Sequence, residues 1–243
     1  MHVEDIEYEA DGRRMVGTFA VDDYRRGPRP GILVCHEGPG IDEHVKGRAV
    51  RLASLGYAAF ALDYQGDGAQ PPLDLGMARL GELMVDSARC RALGQAGLDI
   101  LVRREHVDPA RVAAMGFCFG GAMCLELARA GADLKAVIGF HPGFGQPNPA
   151  EARHIRARVL MFCGSADTLV DKHARDAFEA EMTEAAVADW RIEILGNVAH
   201  SFTNVGVDEL GIPGVAYDAR ADAHSWEAAL RHLERSLGPV DAH

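Results

Sequence analysis

Cys118 lies in the pentapeptide GFCFG at residues 116–120, which has the pattern G-x-S-x-G with cysteine in the place of serine. This pattern is typical of a sharp turn between a strand and a helix, from which a nucleophilic side chain projects. Glycines flank the turn because larger residues would clash where the strand and the helix approach each other. The amino end of the following helix favours a thiolate. Cys118 is therefore the candidate nucleophile.

A free thiol, with a reference pKa of about 8.5, is mostly protonated at neutral pH, so a base and an orienting acid are expected later in the chain. Asp167 follows the apolar run RVLMFCG, and His200 follows the run WRIEILG. In proteins with this type of turn, the triad residues occur along the chain in the order nucleophile, acid, histidine. Asp171 is the competing acid, but its position better suits the cap of the next helix. We expect Cys118, Asp167 and His200 to form a catalytic triad.

The oxygen of an attacked carbonyl needs hydrogen-bond donors where its negative charge develops. The backbone N–H of Phe119 directly follows the nucleophile, and Gly38, in the loop HEGPG, is expected to supply the second N–H. Glu37 would then lie beside the thiol, where it either accepts the thiol proton or keeps that proton on the sulfur. His141 follows another expected strand end, where it either lines the substrate pocket or has a structural role.

Strand and helix patterns alternate along the chain. Two early runs joined by Asp11-Gly12 predict an antiparallel hairpin. The remaining runs, up to a last helix near 218–236, predict a mainly parallel sheet of about eight strands with helices on both faces. Ligands bind such sheets at the carboxyl ends of the strands, where the candidate residues fall. No boundary or repeat interrupts the series, so we predict a single α/β domain over residues 1–243.

The composition excludes several classes of function. The chain has 48% hydrophobic and 25% charged residues, as is usual for globular proteins. Its formal net charge of -11 argues against nucleic acid and anionic membranes as partners. The longest apolar run, Val112 to Leu125, is shorter than the roughly 20 residues that span a bilayer. The acidic N-terminal segment lacks a signal-peptide pattern, so we predict a cytoplasmic protein with reduced cysteines. His36 and His44 lack matching ligands, so no metal site is expected.

These motifs together resemble those of the dienelactone hydrolase family of α/β-hydrolases. The resemblance runs from GILVCHEGPG through GFCFGG and GSADTLV to AHSF and SWEAALRHL. It implies Cys118 as nucleophile, His200 as general base and acid, and Asp167 as the residue that orients the histidine. It also implies that Glu37 holds the resting thiol and accepts its proton when substrate binds. No metal or organic cofactor is implied.

The chain differs from this family in the residues that would bind a carboxylate group of the substrate. Dienelactone hydrolases are known for arginines that hold this group, one of them a few residues after the histidine, and the segment HSFTNVG has none. Arg79 is the candidate for the other arginine. Because a thiolate leaves more readily than an alkyl alcohol, we expect activated substrates such as enol lactones, aryl esters and thioesters. The prediction is a carboxymethylenebutenolidase-like hydrolase of a small ester or lactone, acting as a monomer or homodimer through a Cys118 acyl-enzyme.

Other interpretations stay open. One is a broader carboxylesterase or thioesterase of the same fold. Another is a thiol redox or sensor protein that uses Cys118, although no C-x-x-C pair supplies a resolving cysteine. A dinucleotide-binding protein would use Gly38-x-Gly40, but Glu43 occupies the third glycine position of that fingerprint.

Overall fold

The computed structural model describes residues 1–240, so the predicted domain over 1–243 ends three residues beyond the described part. The chain starts with an antiparallel pair, β1 (His2–Ala10) and β2 (Arg13–Val21). Asp11 and Gly12 form the turn with φ angles of 54° and 65°. A two-residue hairpin turn of this kind requires positive φ at both central positions. The predicted hairpin is therefore confirmed.

After the hairpin, strands and helices alternate. In chain order they are β3 (Arg29–Cys35), α1 (Glu43–Ser54), β4 (Ala58–Leu62), α2 (Leu73–Val85), α3 (Ser87–Val102), β5 (Val107–Phe117), α4 (Phe119–Arg129), β6 (Ala136–Phe140), α5 (Pro149–Ala152), β7 (Arg158–Gly164), α6 (Lys172–Glu184), β8 (Trp190–Leu195) and α7 (Ala219–Leu237). A 3-10 turn over Val205–Leu210 lies between β8 and α7. The eight strands form one sheet in the order β1-β2-β4-β3-β5-β6-β7-β8, parallel from β4 to β8. The α/β fold class is confirmed.

The sheet separates two hydrophobic clusters. Successive strand residues point to opposite faces, so Leu33 and Cys35 join one cluster while Ile32 and Val34 join the other. Helices α2 to α6 cover the first face, and α1 and α7 cover the second. Trp226 of α7 is buried against the second face. No helix within residues 1–240 is both long and apolar enough to cross a membrane.

The backbone of α4 approaches the central strands unusually closely. A Cβ atom added to Gly116 would lie 2.1 Å from the carbonyl oxygen of Gly120. One added to Gly120 would lie 2.3 Å from the carbonyl oxygen of Cys35, in β3. These neighbours are backbone atoms of helix α4 and of the central strand β3, and they have little freedom to move. Both positions therefore require glycine for steric reasons.

We expect Gly120→Ala to lower the free energy of unfolding by about 3 kcal/mol or more, since the added methyl group overpacks a rigid junction. Gly47→Ala is the matched control, because nothing lies within 4 Å of the corresponding Cβ position in helix α1. That variant should gain roughly 0.5–1 kcal/mol from helix propensity. Urea denaturation of both variants measures the difference. Equal stabilities would show that the junction tolerates a side chain.

Candidate active site

Cys118 occupies the turn between β5 and α4 with φ 52° and ψ -120°. This backbone region is rarely populated by residues other than glycine. Three hydrogen bonds hold it there. The N–H of Cys118 donates to the carbonyl of Phe140 at 3.1 Å, and its own carbonyl accepts from the N–H groups of Gly121 and Gly143, both at 2.9 Å. The partly exposed thiol therefore stands at the carboxyl edge of the sheet, beside the amino end of α4.

His200 and Asp167 form a buried pair next to this turn. Nδ1 of His200 lies 2.7 Å from Oδ2 of Asp167, whose Oδ1 accepts the backbone N–H groups of Leu169 and Val170 at 2.8 Å each. Nε2 has no hydrogen-bond partner among the described residues. Burial disfavours a charged ring, but the charge of Cys118 and the Asp167 bond outweigh it and raise the pKa of His200 to about 10. The structure thus brings the three predicted triad residues together.

Asp171, the competing acid, lies at the start of α6. Its side chain is exposed and accepts the backbone N–H of Ala174 at 3.0 Å. This is the bond that an N-cap residue makes, whereas Nδ1 of His200 pairs with Asp167. The structure therefore places Asp171 in the capping position that its spacing predicts.

Glu37 is buried after β3, between the loop that carries His200 and the end of β6. Its Oε2 accepts from Nδ2 of Asn204 at 3.1 Å. Its Oε1 has no hydrogen-bond partner among the described residues and lies 3.7 Å from Nε2 of His141. Burial raises the pKa of Glu37, against the opposing effect of the Asn204 bond. The carboxyl group therefore keeps a proton at pH values where an exposed glutamate is ionised.

The next peptide group carries the N–H of Gly38. The Tyr64 hydroxyl lies 2.8 Å from the Glu37 carbonyl oxygen, and Nδ1 of His36 lies 2.5 Å from the same oxygen. Because a trans peptide is planar, fixing this carbonyl fixes the opposite direction for the Gly38 N–H. Neither this N–H nor that of Phe119 donates a hydrogen bond within residues 1–240. Both are available to a substrate oxygen.

Two predicted substrate-binding residues are engaged with the protein. The His141 side chain is fully buried, with Nε2 2.9 Å from Oγ1 of Thr203 and its ring edge-on to His200 at 5.0 Å. Its ring is therefore held between protein side chains, and its role in substrate binding stays a prediction. Nη1 of Arg79 donates to the carbonyl of Gln65 at 2.8 Å, and Nε2 of Gln65 donates to the carbonyl of Gly38 at 2.8 Å. Arg79 thereby supports the loop that carries Gly38.

Sequence reasoning missed the residues that hold Glu37 and its loop. Asn204 and Thr203 follow His200 by four and three residues, and Tyr64 follows strand β4. Their position beyond strand ends was the available signal, because polar groups there face the site. The described residues contain no group of three His, Cys, Asp or Glu side chains arranged to hold a metal ion.

Comparisons of the sequence and the fold with those of known proteins identify related enzymes. The sequence model of the dienelactone hydrolase family matches residues 16–237. A solved structure of a dienelactone hydrolase-like promiscuous phosphotriesterase from metagenomic libraries has a TM-score of 0.93 and 41% identity, over 98% of this chain and 99% of that one. A Bradyrhizobium protein named as a probable 2-oxo-3-(5-oxofuran-2-ylidene)propanoate lactonase is 28% identical over 87% of this chain and 86% of its own length. A Yersinia pestis protein, provisionally named a carboxymethylenebutenolidase, is 25% identical over 83% of this chain and 79% of its own.

We expect Asp167→Asn to lower kcat for an aryl ester by about 10³-fold or more, because the amide no longer holds the required tautomer of His200. Asp171→Asn is the matched control, since asparagine also caps helices and the fold should be unaffected. Steady-state kinetics with an aryl acetate compares the two variants. If kcat fell strongly in Asp171→Asn and little in Asp167→Asn, Asp171 would be the acid that orients His200.

Proposed function

Because this chain belongs to the dienelactone hydrolase family, we propose that it hydrolyses an activated ester or lactone through an acyl-enzyme on Cys118. One observation carries the proposal. The nucleophile position has φ 52° at a strand-to-helix turn, and the buried His200–Asp167 pair lies beside it with Nε2 of the histidine unbonded. This is the arrangement that a nucleophile, its base and the orienter of that base require.

In the first half of the reaction, the Cys118 thiol gives up its proton to Nε2 of His200, and the sulfur attacks the carbonyl carbon. A C–S bond forms while the carbonyl π electrons move to oxygen, which accepts the N–H groups of Phe119 and Gly38. When the C=O bond re-forms, the C–O bond to the leaving group breaks. His200 returns its proton to that group, and Asp167 remains ionised throughout.

In the second half, a water molecule attacks the thioester while His200 takes one of its protons. The tetrahedral intermediate again places its negative oxygen against the N–H groups of Phe119 and Gly38. The C–S bond then breaks, the acid is released, and the proton on His200 returns to the sulfur. The balance is one ester and one water converted into one acid and one alcohol or enol.

Cysteine favours particular leaving groups in this scheme. The first tetrahedral intermediate can expel the thiolate, which restores the substrate, or the alcohol, which leaves the acyl-enzyme. An alkyl alkoxide is the poorer leaving group, so attack on a simple alkyl ester mostly reverses. Enol lactones, aryl esters and thioesters carry a better leaving group. This argument supports the activated substrates that the sequence predicts.

Hydrolysis of phosphotriesters is a second candidate function. The observation that favours it is the 41% identity, over nearly the full length of both chains, to a dienelactone hydrolase-like promiscuous phosphotriesterase. The same thiolate would attack phosphorus in place of carbon and expel an aryl oxide. Turnover of paraoxon that disappears in Cys118→Ala would support it, and absence of turnover at micromolar enzyme concentration would exclude it.

The acyl-enzyme proposal predicts the reactivity of two variants and two substrates. Cys118→Ala and His200→Ala should each lower kcat/KM for phenyl acetate by about 10³-fold or more. The ratio of kcat/KM for phenyl acetate to that for ethyl acetate should exceed the ratio of their hydroxide-catalysed rates in the same buffer. If both variants keep the wild-type rate, the triad assignment fails. A ratio no larger than the hydroxide value would remove the leaving-group argument.

The raised pKa of Glu37 predicts a pH effect. The carboxyl group is neutral at low pH, and as the pH rises through its raised pKa it gains a negative charge that favours the protonated form of His200, the acceptor of the thiol proton. Wild-type kcat/KM should therefore rise with pH over that range, whereas Glu37→Gln should lack this acid limb and lose about 10²-fold in rate. The exposed Glu43 provides the control, since Glu43→Gln should keep the wild-type profile. A Glu37→Gln profile that superimposes on the wild type would exclude an effect of the Glu37 charge on catalysis.

A further inference from the structure

A cavity of about 280 Å³ lies beside the nucleophile. Its near end is formed by Phe119, which carries one of the two free N–H groups, and by Gly143, whose N–H donates to the Cys118 carbonyl at 2.9 Å. Its wall continues along α4 to Glu126, seven residues after Phe119, or about 10 Å at 1.5 Å per residue. The cavity therefore begins at two residues that adjoin Cys118, Phe119 in sequence and Gly143 through its hydrogen bond, and extends along the first two turns of α4.

The wall of this cavity is mostly apolar. Its largest apolar side chains are Leu83, Met84, Phe119, Phe144, Leu169 and Val170. No lysine or arginine is among the described residues that line it. The carboxylate of Glu126 is already engaged, with Oε1 2.8 Å from Nη1 of Arg129 and Oε2 2.7 Å from Nε of Arg91. An anionic group would lose its hydration here without gaining a cationic partner, so the cavity suits uncharged hydrocarbon.

The apolar residues that flank His200 and several residues of the cavity wall pack against opposite faces of the sheet. The loop around His200 packs through Val198 and Phe202 into the cluster covered by α1 and α7. Leu83, Phe119 and Phe144 of the cavity wall belong to the cluster covered by α2 to α6. A leaving group must meet His200 to receive its proton. The part of the substrate that stays bonded to sulfur is therefore the part directed toward the cavity.

We propose that this cavity binds the hydrocarbon chain of the acyl group, so that preferred substrates carry an uncharged acyl chain of medium length. This inference rests on the proposed Cys118 acyl-enzyme. At ~30 Å³ for a water-sized group, 280 Å³ accommodates about nine groups of methylene size. Acyl chains of about six to eight carbons therefore match the available volume.

The test is a series of p-nitrophenyl esters from acetate through butyrate and hexanoate to octanoate, all with the same leaving group. Burial of one methylene group is worth up to about fourfold in kcat/KM. We expect a rise of about tenfold or more from acetate to hexanoate in the wild type. A flat or falling series would overturn the proposal, and so would a length preference found only when the alcohol part of the ester is extended.

A pair of variants on α6 locates the effect. Ala177 lines the cavity, whereas Ala180, three residues later on the same helix, is exposed and lies outside it. Ala177→Phe should reduce the hexanoate rate about tenfold while changing the acetate rate by less than about twofold. Ala180→Phe should leave the whole series unchanged. Equal losses for acetate and hexanoate in Ala177→Phe would contradict a chain-binding role.

Alkylation of Cys118 distinguishes failure of this proposal from failure of the proposed function, because it requires no hydrolysis. The sulfur displaces iodide from N-ethyl or N-hexyl iodoacetamide, and mass spectrometry identifies the modified residue. We expect the hexyl reagent to react about tenfold faster with the wild type and no faster than the ethyl reagent with Ala177→Phe. Equal rates in the wild type would overturn the cavity assignment. Ester turnover that survives Cys118→Ala would instead overturn the acyl-enzyme.

Discussion

The close approach of α4 to strands β3 and β5 is the constraint on which the rest of the site depends. Two glycines allow it, since a side chain at Gly120 would meet the Cys35 carbonyl at 2.3 Å. The junction forces Cys118 into a positive φ angle and directs its side chain out of the sheet. It also leaves the N–H of Phe119, the first of α4, unpaired beside the sulfur, where it favours negative charge. One packing requirement therefore produces both a presented nucleophile and one of the donors for the oxyanion.

A second requirement is that the buried polar groups behind the site are matched to each other. Arg48 lies between the rings of Phe117 and Trp226 and donates to the Thr203 carbonyl at 2.8 Å and to Asp222 at 2.7 Å. It thereby ties α1 and α7 to the loop that carries the catalytic histidine. Buried polar groups are costly unless they are paired, so this network favours a single position for that loop. The fixed geometry of the histidine is thus a property of three elements and not of its loop alone.

The sequence allowed prediction of the parts of the site that are local or ordered along the chain. The GFCFG turn needs only neighbouring residues, and the order of Cys118, Asp167 and His200 follows from the succession of strands. The contact between Glu37 and Asn204 joins residues 167 positions apart, so it depends on how distant loops meet above the sheet. His141 shows a different limit. Its place after β6 was predictable, but its φ of 38° and full burial were not, because no local pattern reports the direction of a side chain at a strand end.

The acyl and leaving-group ends of the substrate are subject to separate constraints in this protein. In the proposed reaction, the choice of cysteine acts on the leaving group, because only the partition between thiolate and alcohol depends on it. In the proposed binding mode, the apolar wall along α4 acts on the acyl group, and the chain lacks an arginine shortly after His200 that could hold a carboxylate. The net charge of -11 adds a long-range repulsion against anionic substrates. The proposed triad chemistry requires no charge on the substrate, and the surroundings of the triad disfavour a negatively charged substrate. The reaction of the family can therefore occur in this protein without the family's preference for a substrate that carries a carboxylate.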